Sequence, residues 1–113
     1  MAVYVSNLQI EQGADFEHLF SLGDNDNNTT LDLTGYTVAS KLRKWAGSST
    51  AYSFTSSVSS ATEGQITISM TDSTTNTIKP GRYVYDVVLT ESSSGLKTRV
   101  VEGQVLVRQG VTR

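Results

Sequence analysis

Residues 66–102 read ITISMTDSTTNTIKPGRYVYDVVLTESSSGLKTRVVE, and this stretch decides the fold. Apolar side chains occupy every second position in two of its segments, 66–70 and 83–89. A two-residue period is typical of strands that bury one face. Pro80-Gly81 predicts a corner between these strands, and the run 91–95 predicts the turn of a hairpin. The stretch therefore predicts three antiparallel strands.

The rest of the chain consists of short apolar segments separated by turn-forming residues. The run GDNDNNTT at 23–30 predicts a loop, and 72–80 predicts a helical turn capped by Asp72 or Ser73. Further strands are predicted at 4–10, 16–22, 37–45 and 51–56, with 31–36 leading into the strand at 37–45. The last hairpin returns through 96–108. About seven short strands at regular spacing predict one immunoglobulin-like antiparallel β-sandwich that spans residues 1–113.

The segment PGRYVY at 80–85 has the pattern of a tyrosine corner. Tyr83 follows a glycine at the start of a late strand, so its hydroxyl is expected to bond back across the corner while its ring fills the core. Tyr85 stands two residues later, where antibody-type domains place a cysteine. Both tyrosines are therefore predicted to be structural.

The composition of the chain excludes several classes of function. The 113 residues carry a formal net charge of -2 and no cluster of Lys and Arg, which argues against a nucleic-acid partner. The chain has no cysteine, so disulfides, zinc-thiolate sites and thiol nucleophiles are excluded. The first sixteen residues contain neither a basic opening nor a continuous apolar run, so we expect no membrane anchor and synthesis in a cytoplasm.

One segment and one residue are candidate chemical sites. The run from Asp24 to Asn28 resembles the start of a calcium loop, but Thr29 and Gly35 stand where an EF-hand requires Gly and Glu, so a solvated loop is favoured. His18 is the single histidine, and the chain contains no G-x-S-x-G elbow. A structural, hydrogen-bonded histidine is favoured over a catalytic one. We therefore predict no catalytic residue, no metal site and no cofactor, and hence a protein that is not an enzyme.

Surface residues are better candidates for function. Strand alternation places Trp45 on the outer face with Lys41 and Arg43, and an exposed Trp beside cations is typical of an interface. The alternative is that Trp45 folds over the sandwich edge as a lid. The same alternation predicts an outward apolar patch, which a monomer should not expose. Its members are Val84, Val88, Val100 and Leu106.

Three phrases together resemble a known family. They are LDLTGYTVASKLRK at 31–44, GQITISMTDSTTNTIKPGRYVYDVVLT at 64–90 and TRVVEGQVLVRQGVTR at 98–113. In this order they are similar to the small immunoglobulin-like domains of tailed-bacteriophage virion proteins, including the amino-terminal domains of baseplate upper proteins. The chain departs from that pattern at His18 and Ser40, where the family usually has inward apolar residues. Either the core is polar there or the strand register differs by one residue.

The resemblance implies a non-enzymatic structural protein of the virion, made in the host cytoplasm. Its work would be attachment of a fibre or adaptation of a tail, baseplate or neck through contacts with other virion proteins and with its own copies. A capsid decoration protein of the same fold is an alternative. Two rivals remain open: a glycan-binding module that stacks sugars on Trp45 and Tyr52, and a small hydrolase built around His18.

Overall fold

The computed structural model describes residues 4–24, 29–30 and 33–111. Within them the chain forms eleven strands and one short helix, in the order β1 (Tyr4–Val5), β2 (Leu8–Glu11), β3 (Phe16–Ser21), β4 (Gly23–Asp24), β5 (Thr29–Thr30), β6 (Tyr36–Arg43), β7 (Ala51–Ser53), β8 (Thr55–Ser60), β9 (Gln65–Met70), α1 (Asp72–Thr75), β10 (Gly81–Glu91) and β11 (Lys97–Arg108). The predicted all-β class is confirmed.

Two sheets pack face to face. The larger has the strand order β1-β11-β10-β6-β7, with β2 also paired to β11, and the smaller has the order β3-β9-β8. The chain changes sheet between β2 and β3, between β3 and β6, between β7 and β8, and between β9 and β10, as in immunoglobulin-like sandwiches. Strands β4 and β5 form a separate small hairpin. The topology confirms the predicted immunoglobulin-like fold.

The core lies between the sheets and is built by strand alternation. The inward residues of β9 and β10 are those predicted from the sequence, and each is at most 7% exposed. Burying one such aliphatic or aromatic side chain contributes roughly 1.5–3 kcal/mol. The buried apolar residues are Leu8, Ile10, Phe20, Leu22, Leu33, Leu42, Phe54, Ile66, Ile68, Met70, Ile78, Tyr83, Tyr85, Val87, Leu89, Val100, Val101, Val105 and Val107.

Ser40 belongs to this inward face, which resolves one question that the sequence left open. Its side chain is 4% exposed, and its Oγ donates a hydrogen bond of 2.6 Å to the carbonyl oxygen of Asp86 on the neighbouring strand. The buried hydroxyl is therefore satisfied, so it carries little desolvation cost. The core is locally polar at Ser40, and the predicted register of β6 is correct.

The amino-terminal segment runs parallel to β11 instead of forming the single strand predicted at 4–10. Strands β1 and β2 both pair with β11 and are separated at Ser6 and Asn7. The amide of Ser6 donates to the Glu102 carbonyl at 3.0 Å, and the Tyr85 hydroxyl donates to the Ser6 carbonyl at 2.5 Å. Gly103 permits this approach, because a Cβ there would collide with the Ser6 carbonyl.

The predicted tyrosine corner is confirmed, because the Tyr83 hydroxyl donates to the Lys79 carbonyl at 2.6 Å. The helical turn before it is also present as α1, but its cap differs from the prediction. Thr71 is the N-cap residue, and neither Asp72 nor Ser73 occupies that position. The amide of Asp72 is instead satisfied at 2.8 Å by Oδ1 of Asp15, from the β2–β3 connection. The Asp72 carboxylate still satisfies one exposed amide of the turn, because Ser73 N donates to Asp72 Oδ1 at 2.8 Å.

A β-bulge in β11 overturns one further prediction. Val87 pairs with Val101 and Val88 with Arg99, so Val100 is an extra residue on β11. Val100 and Val101 are consecutive, yet both are fully buried. The prediction that Val100 faces outward is wrong, because alternation counted from the end of the strand fails at the bulge. The same bulge turns Arg99 to the outer face.

Tyr85→Phe tests the bond between the amino-terminal segment and β10. The substitution leaves the partly buried Ser6 carbonyl without its donor, so we expect a loss of about 1–3 kcal/mol in the free energy of unfolding. Urea denaturation should show a lower midpoint at an unchanged slope. Tyr52→Phe is the matched control, because the structure gives the Tyr52 hydroxyl no hydrogen bond to the described residues. Equal stability of the two variants would contradict a stabilising role for this bond.

Gly103→Ala tests the close approach of Ser6 to β11. The new methyl group must displace the Ser6 backbone, and we expect a cost of about 1–3 kcal/mol, as for other overpacked sites. Amide hydrogen exchange of residues 4–11 should accelerate most, since these strands depend on β11. Gly47→Ala is the control, because a Cβ there would meet only Trp45 side-chain atoms at 3.6 and 3.7 Å. Unchanged exchange in Gly103→Ala would show that the approach imposes no constraint.

Candidate functional site

A shallow groove of about 770 Å³ crosses the outer face of the larger sheet. It exists because β6, β10 and β11 lie side by side, so that their outward side chains share one surface. The groove is lined by Val5, Asn7, Ala39, Ser40, Lys41, Arg43, Ala46, Val84, Tyr85, Asp86, Val88, Arg99, Glu102, Gly103 and Gln104. We call this surface the groove.

The groove has an apolar floor. Val84 and Val88 are half-buried residues on β10, and Val88 stands directly opposite Ala39 of β6. Directly opposed residues share one side of a sheet, so Val88 and Ala39 are neighbours on the outer face, whereas Asp86 and the opposed Lys41 separate them from Val84. Val5, which is 73% exposed, adds a further apolar side chain at the amino-terminal side. A partner that covered this floor would gain from burying it.

Charges of both signs cross that floor and border it, because Asp86 lies between Val84 and Val88 and stands opposite Glu102. Arg99 Nε lies 3.2 Å from Asp86 Oδ2, and Arg99 Nη1 lies 3.4 Å from Glu102 Oε2. Lys41 stands opposite Asp86 in the β6–β10 ladder, and Arg43 stands opposite Val84. The ion-paired side chains are between 37% and 56% exposed, so each pair contributes at most about 1 kcal/mol to stability. Apolar positions interleaved with charges of both signs suit a protein partner better than a polyanion.

A second, smaller concavity of about 350 Å³ lies at the tyrosine corner. It is lined by Lys44, Trp45, Ser48, Thr50, Tyr52, Lys79, Pro80 and Tyr83, and we call it the corner hollow. The turn after β6 supplies Lys44 and Trp45, strand β7 supplies Tyr52, and the approach to β10 supplies Lys79 and Pro80. None of these residues lines the groove.

Aromatic and cationic groups are ordered within the corner hollow. Tyr52 and Tyr83 meet edge to face, with ring centroids 6.4 Å apart. The Nζ atom of Lys44 lies 5.0 Å from the centroid of the Tyr83 ring, within the range of a cation–π contact. Trp45 remains 62% exposed. Most of the Trp45 side chain is therefore accessible to a partner, although it lies beside edge strand β7, where the lid alternative placed it.

The structure separates the predicted interface residues. Lys41, Arg43, Val84 and Val88 come together in the groove, as alternation predicts. Trp45 lies in the corner hollow instead, and Val100 is in the core. Leu106 is 40% exposed and opposes Arg82, beyond the groove lining. The sequence analysis missed Asp86, Arg99 and Glu102 in the groove, since only the strand register brings them together.

His18 and the predicted calcium loop are the two chemical candidates from the sequence. His18 is half-buried, and its ring meets the edge of Phe20 at 4.5 Å, a packing contact rather than the predicted hydrogen bond. The predicted calcium loop falls largely on residues 25–28, outside the described residues. Elsewhere in the described chain, no three His, Cys, Asp or Glu side chains assemble into a metal site. The described residues also form no helix of the length and apolarity needed to cross a bilayer.

Burial raises the pKa of two tyrosine hydroxyls that line these surfaces. Burial raises the pKa of Tyr83, and its neighbour Tyr52 raises it further. Burial also raises the pKa of Tyr85 to about 12, with Ser6 opposing part of the rise. Both hydroxyls are therefore protonated near neutral pH, as donation to the Lys79 and Ser6 carbonyls requires.

Comparison with known proteins gives the fold alone. No protein-family model and no curated protein sequence matches the chain. Among solved structures, InlP of Listeria monocytogenes aligns with a TM-score of 0.50 and 13% identity over 91% of this chain, which spans 26% of the InlP chain. The NK cell receptor Nkp44 aligns with a TM-score of 0.47 and 13% identity, over 96% of this chain and 100% of the receptor chain. The strand topology places this chain in the immunoglobulin-like class.

The raised pKa of Tyr85 predicts a pH dependence of stability. The folded pKa of about 12 exceeds the unfolded value of about 10, so the contribution of the neutral hydroxyl is complete below pH 10 and is lost as pH rises through 12. We expect the stability advantage of the wild type over Tyr85→Phe to shrink by about 1–3 kcal/mol between pH 9 and 12. Urea titrations across this range measure it. A constant difference would show that Tyr85 titrates alike in both states.

Proposed function

We propose that this chain is a non-enzymatic structural protein of a tailed-phage particle, held in place by protein contacts made through the groove. The observation that carries the proposal is the half-buried floor of Val84 and Val88, divided and bordered by charges of both signs. Burying the apolar side chains of such a surface favours association, and its charges select a partner of complementary charge. The assignment to a phage particle is supported by the three sequence phrases that resemble virion domains.

The proposed partners of this surface are larger virion proteins and further copies of the same chain. A particle repeats its components, so modest contacts at each copy add through avidity. Attachment of a fibre and adaptation within a tail, baseplate or neck both use such contacts. Decoration of a capsid by the same fold uses them as well. The proposed location is the virion, after synthesis in the host cytoplasm.

Val84→Glu and Val88→Glu test the contact through the groove. Each places a charge on the apolar floor, so we expect the apparent association constant to fall at least about tenfold, equivalent to about 1.4 kcal/mol. Light scattering of the purified protein across a concentration range measures self-association. Thr67→Glu is the matched control, because Thr67 is half-buried on the central strand of the other sheet.

A wild type that stays monomeric at every concentration would contradict self-association through the groove. The virion assignment has a separate test, which is mass spectrometry of purified particles of the phage that encodes the chain. We expect the chain in intact particles at a fixed stoichiometry. Its presence in infected cells but not in particles would overturn the structural role.

A further inference from the structure

We propose that the corner hollow binds an acidic saccharide, a sugar ring that carries a carboxylate. The proposal goes beyond the structural role, because it uses no residue of the groove. The aromatic surface of the hollow supplies the first argument. Trp45 is 62% exposed although it is the only tryptophan of the chain, and Tyr52 and Pro80 lie in the same concavity. Flat aromatic faces suit the apolar C–H face of a pyranose ring.

Unneutralised positive charge supplies the second argument. Lys44 and Lys79 both line the corner hollow, and its lining contains no carboxylate. The three ion pairs among the described residues involve Arg99 and Arg108, and neither lysine takes part. This local charge is opposite in sign to the net charge of -2. Two cations beside an aromatic surface complement a sugar acid better than a neutral sugar.

The corner hollow is preorganised by contacts that lie beneath it. The Tyr83 ring forms its floor and is fixed by the bond from its hydroxyl to the Lys79 carbonyl. The ammonium of Lys44 is held over that ring at 5.0 Å. The turn that carries Trp45 is closed on itself, because Ser48 N donates to the Trp45 carbonyl at 2.9 Å and Arg43 Nη1 donates to the Ser48 carbonyl at 2.7 Å. Little ordering therefore remains to oppose binding.

Size and hydrogen-bonding capacity also fit a sugar. A volume of about 350 Å³ lies at the lower end of the range of small-ligand sites, which suits a terminal sugar and not a long polymer. The structure gives the hydroxyls of Thr50 and Tyr52 no hydrogen bond to other described residues. They are therefore available to the hydroxyl groups of a sugar. Lys44 and Lys79, which both line the hollow, would bind the carboxylate.

The test uses the whole chain and four pure monosaccharides: glucuronic acid and N-acetylneuraminic acid, with glucose and N-acetylglucosamine as neutral counterparts. Nitrogen-15 labelled protein is titrated at constant pH and ionic strength, and amide and indole shifts are followed. Trp45 fluorescence gives a second readout from the hollow itself, since no other tryptophan contributes. We expect saturable millimolar binding of at least one acid, at least fivefold tighter than its neutral counterpart, that weakens as salt rises.

Variants separate the two parts of the site. Trp45→Ala should weaken binding of the acid at least tenfold, whereas Lys44→Gln and Lys79→Gln should each remove most of the preference for the acid. Lys97→Gln is the matched control, because it also removes one exposed lysine. Lys97 lies on β11 opposite Thr90, at the end of β10 that is far from the corner hollow. Val88→Glu, which disables the groove, should leave sugar binding unchanged, so failure of the assembly role and failure of this site are distinguishable.

Three outcomes would overturn the proposal. The first is that neither acid causes saturable chemical-shift changes when it is titrated to a concentration on the order of tens of millimolar, well above a millimolar dissociation constant. The second is equal binding of acids and neutral sugars, which would make the lysines irrelevant to recognition. The third is binding that Trp45→Ala or the two lysine variants reduce no more than Lys97→Gln does.

Discussion

The hydrogen bond from the Tyr85 hydroxyl to the Ser6 carbonyl ties the amino-terminal strands to β10, the strand that contributes residues to both surfaces. Tyr85 belongs to the central strand of the larger sheet, and Ser6 joins the two short strands at its edge. The Tyr85 ring also packs edge to face on Phe54, at 6.2 Å, and Phe54 lies 5.7 Å from Phe16 on the opposite sheet. A neutral aromatic cluster thus spans the sandwich in a chain that has no cysteine.

The two candidate surfaces arise from different physical causes. The groove follows from regular pairing, because β6, β10 and β11 set their outward side chains in rows. The corner hollow follows from interruptions of that pairing, namely the turn after Arg43 and the Pro80-Gly81 entry to β10. Gly81 has a φ of 148°, and a Cβ there would approach Lys44 Nζ to 3.0 Å. Glycine at the corner therefore gives Lys44 its place above Tyr83.

Sequence patterns predicted the features that depend on local spacing. Alternation identified the inward faces of β9 and β10, and the PGRYVY segment identified the corner bond of Tyr83. Features that depend on pairing between distant segments were missed. The bulge that buries Val100 exists only relative to β10, and the Asp15 carboxylate that satisfies Asp72 comes from 57 residues away. The glycan hypothesis named Trp45 and Tyr52, which line the corner hollow together, but it did not include the two lysines beside them.

The parallel pairing of β1 and β2 with β11 has a mechanical consequence. Parallel strands start at the same end of a ladder. Tyr4, opposite Val101, and Arg108, opposite Glu11, therefore lie at opposite ends of this one. A pull at these two ends shears β2 against β11 and loads their hydrogen bonds together, whereas a hairpin pulled from one end opens bond by bond. The geometry thus opposes tension with all the bonds of the ladder at once, a useful property for any module joined to others at both ends.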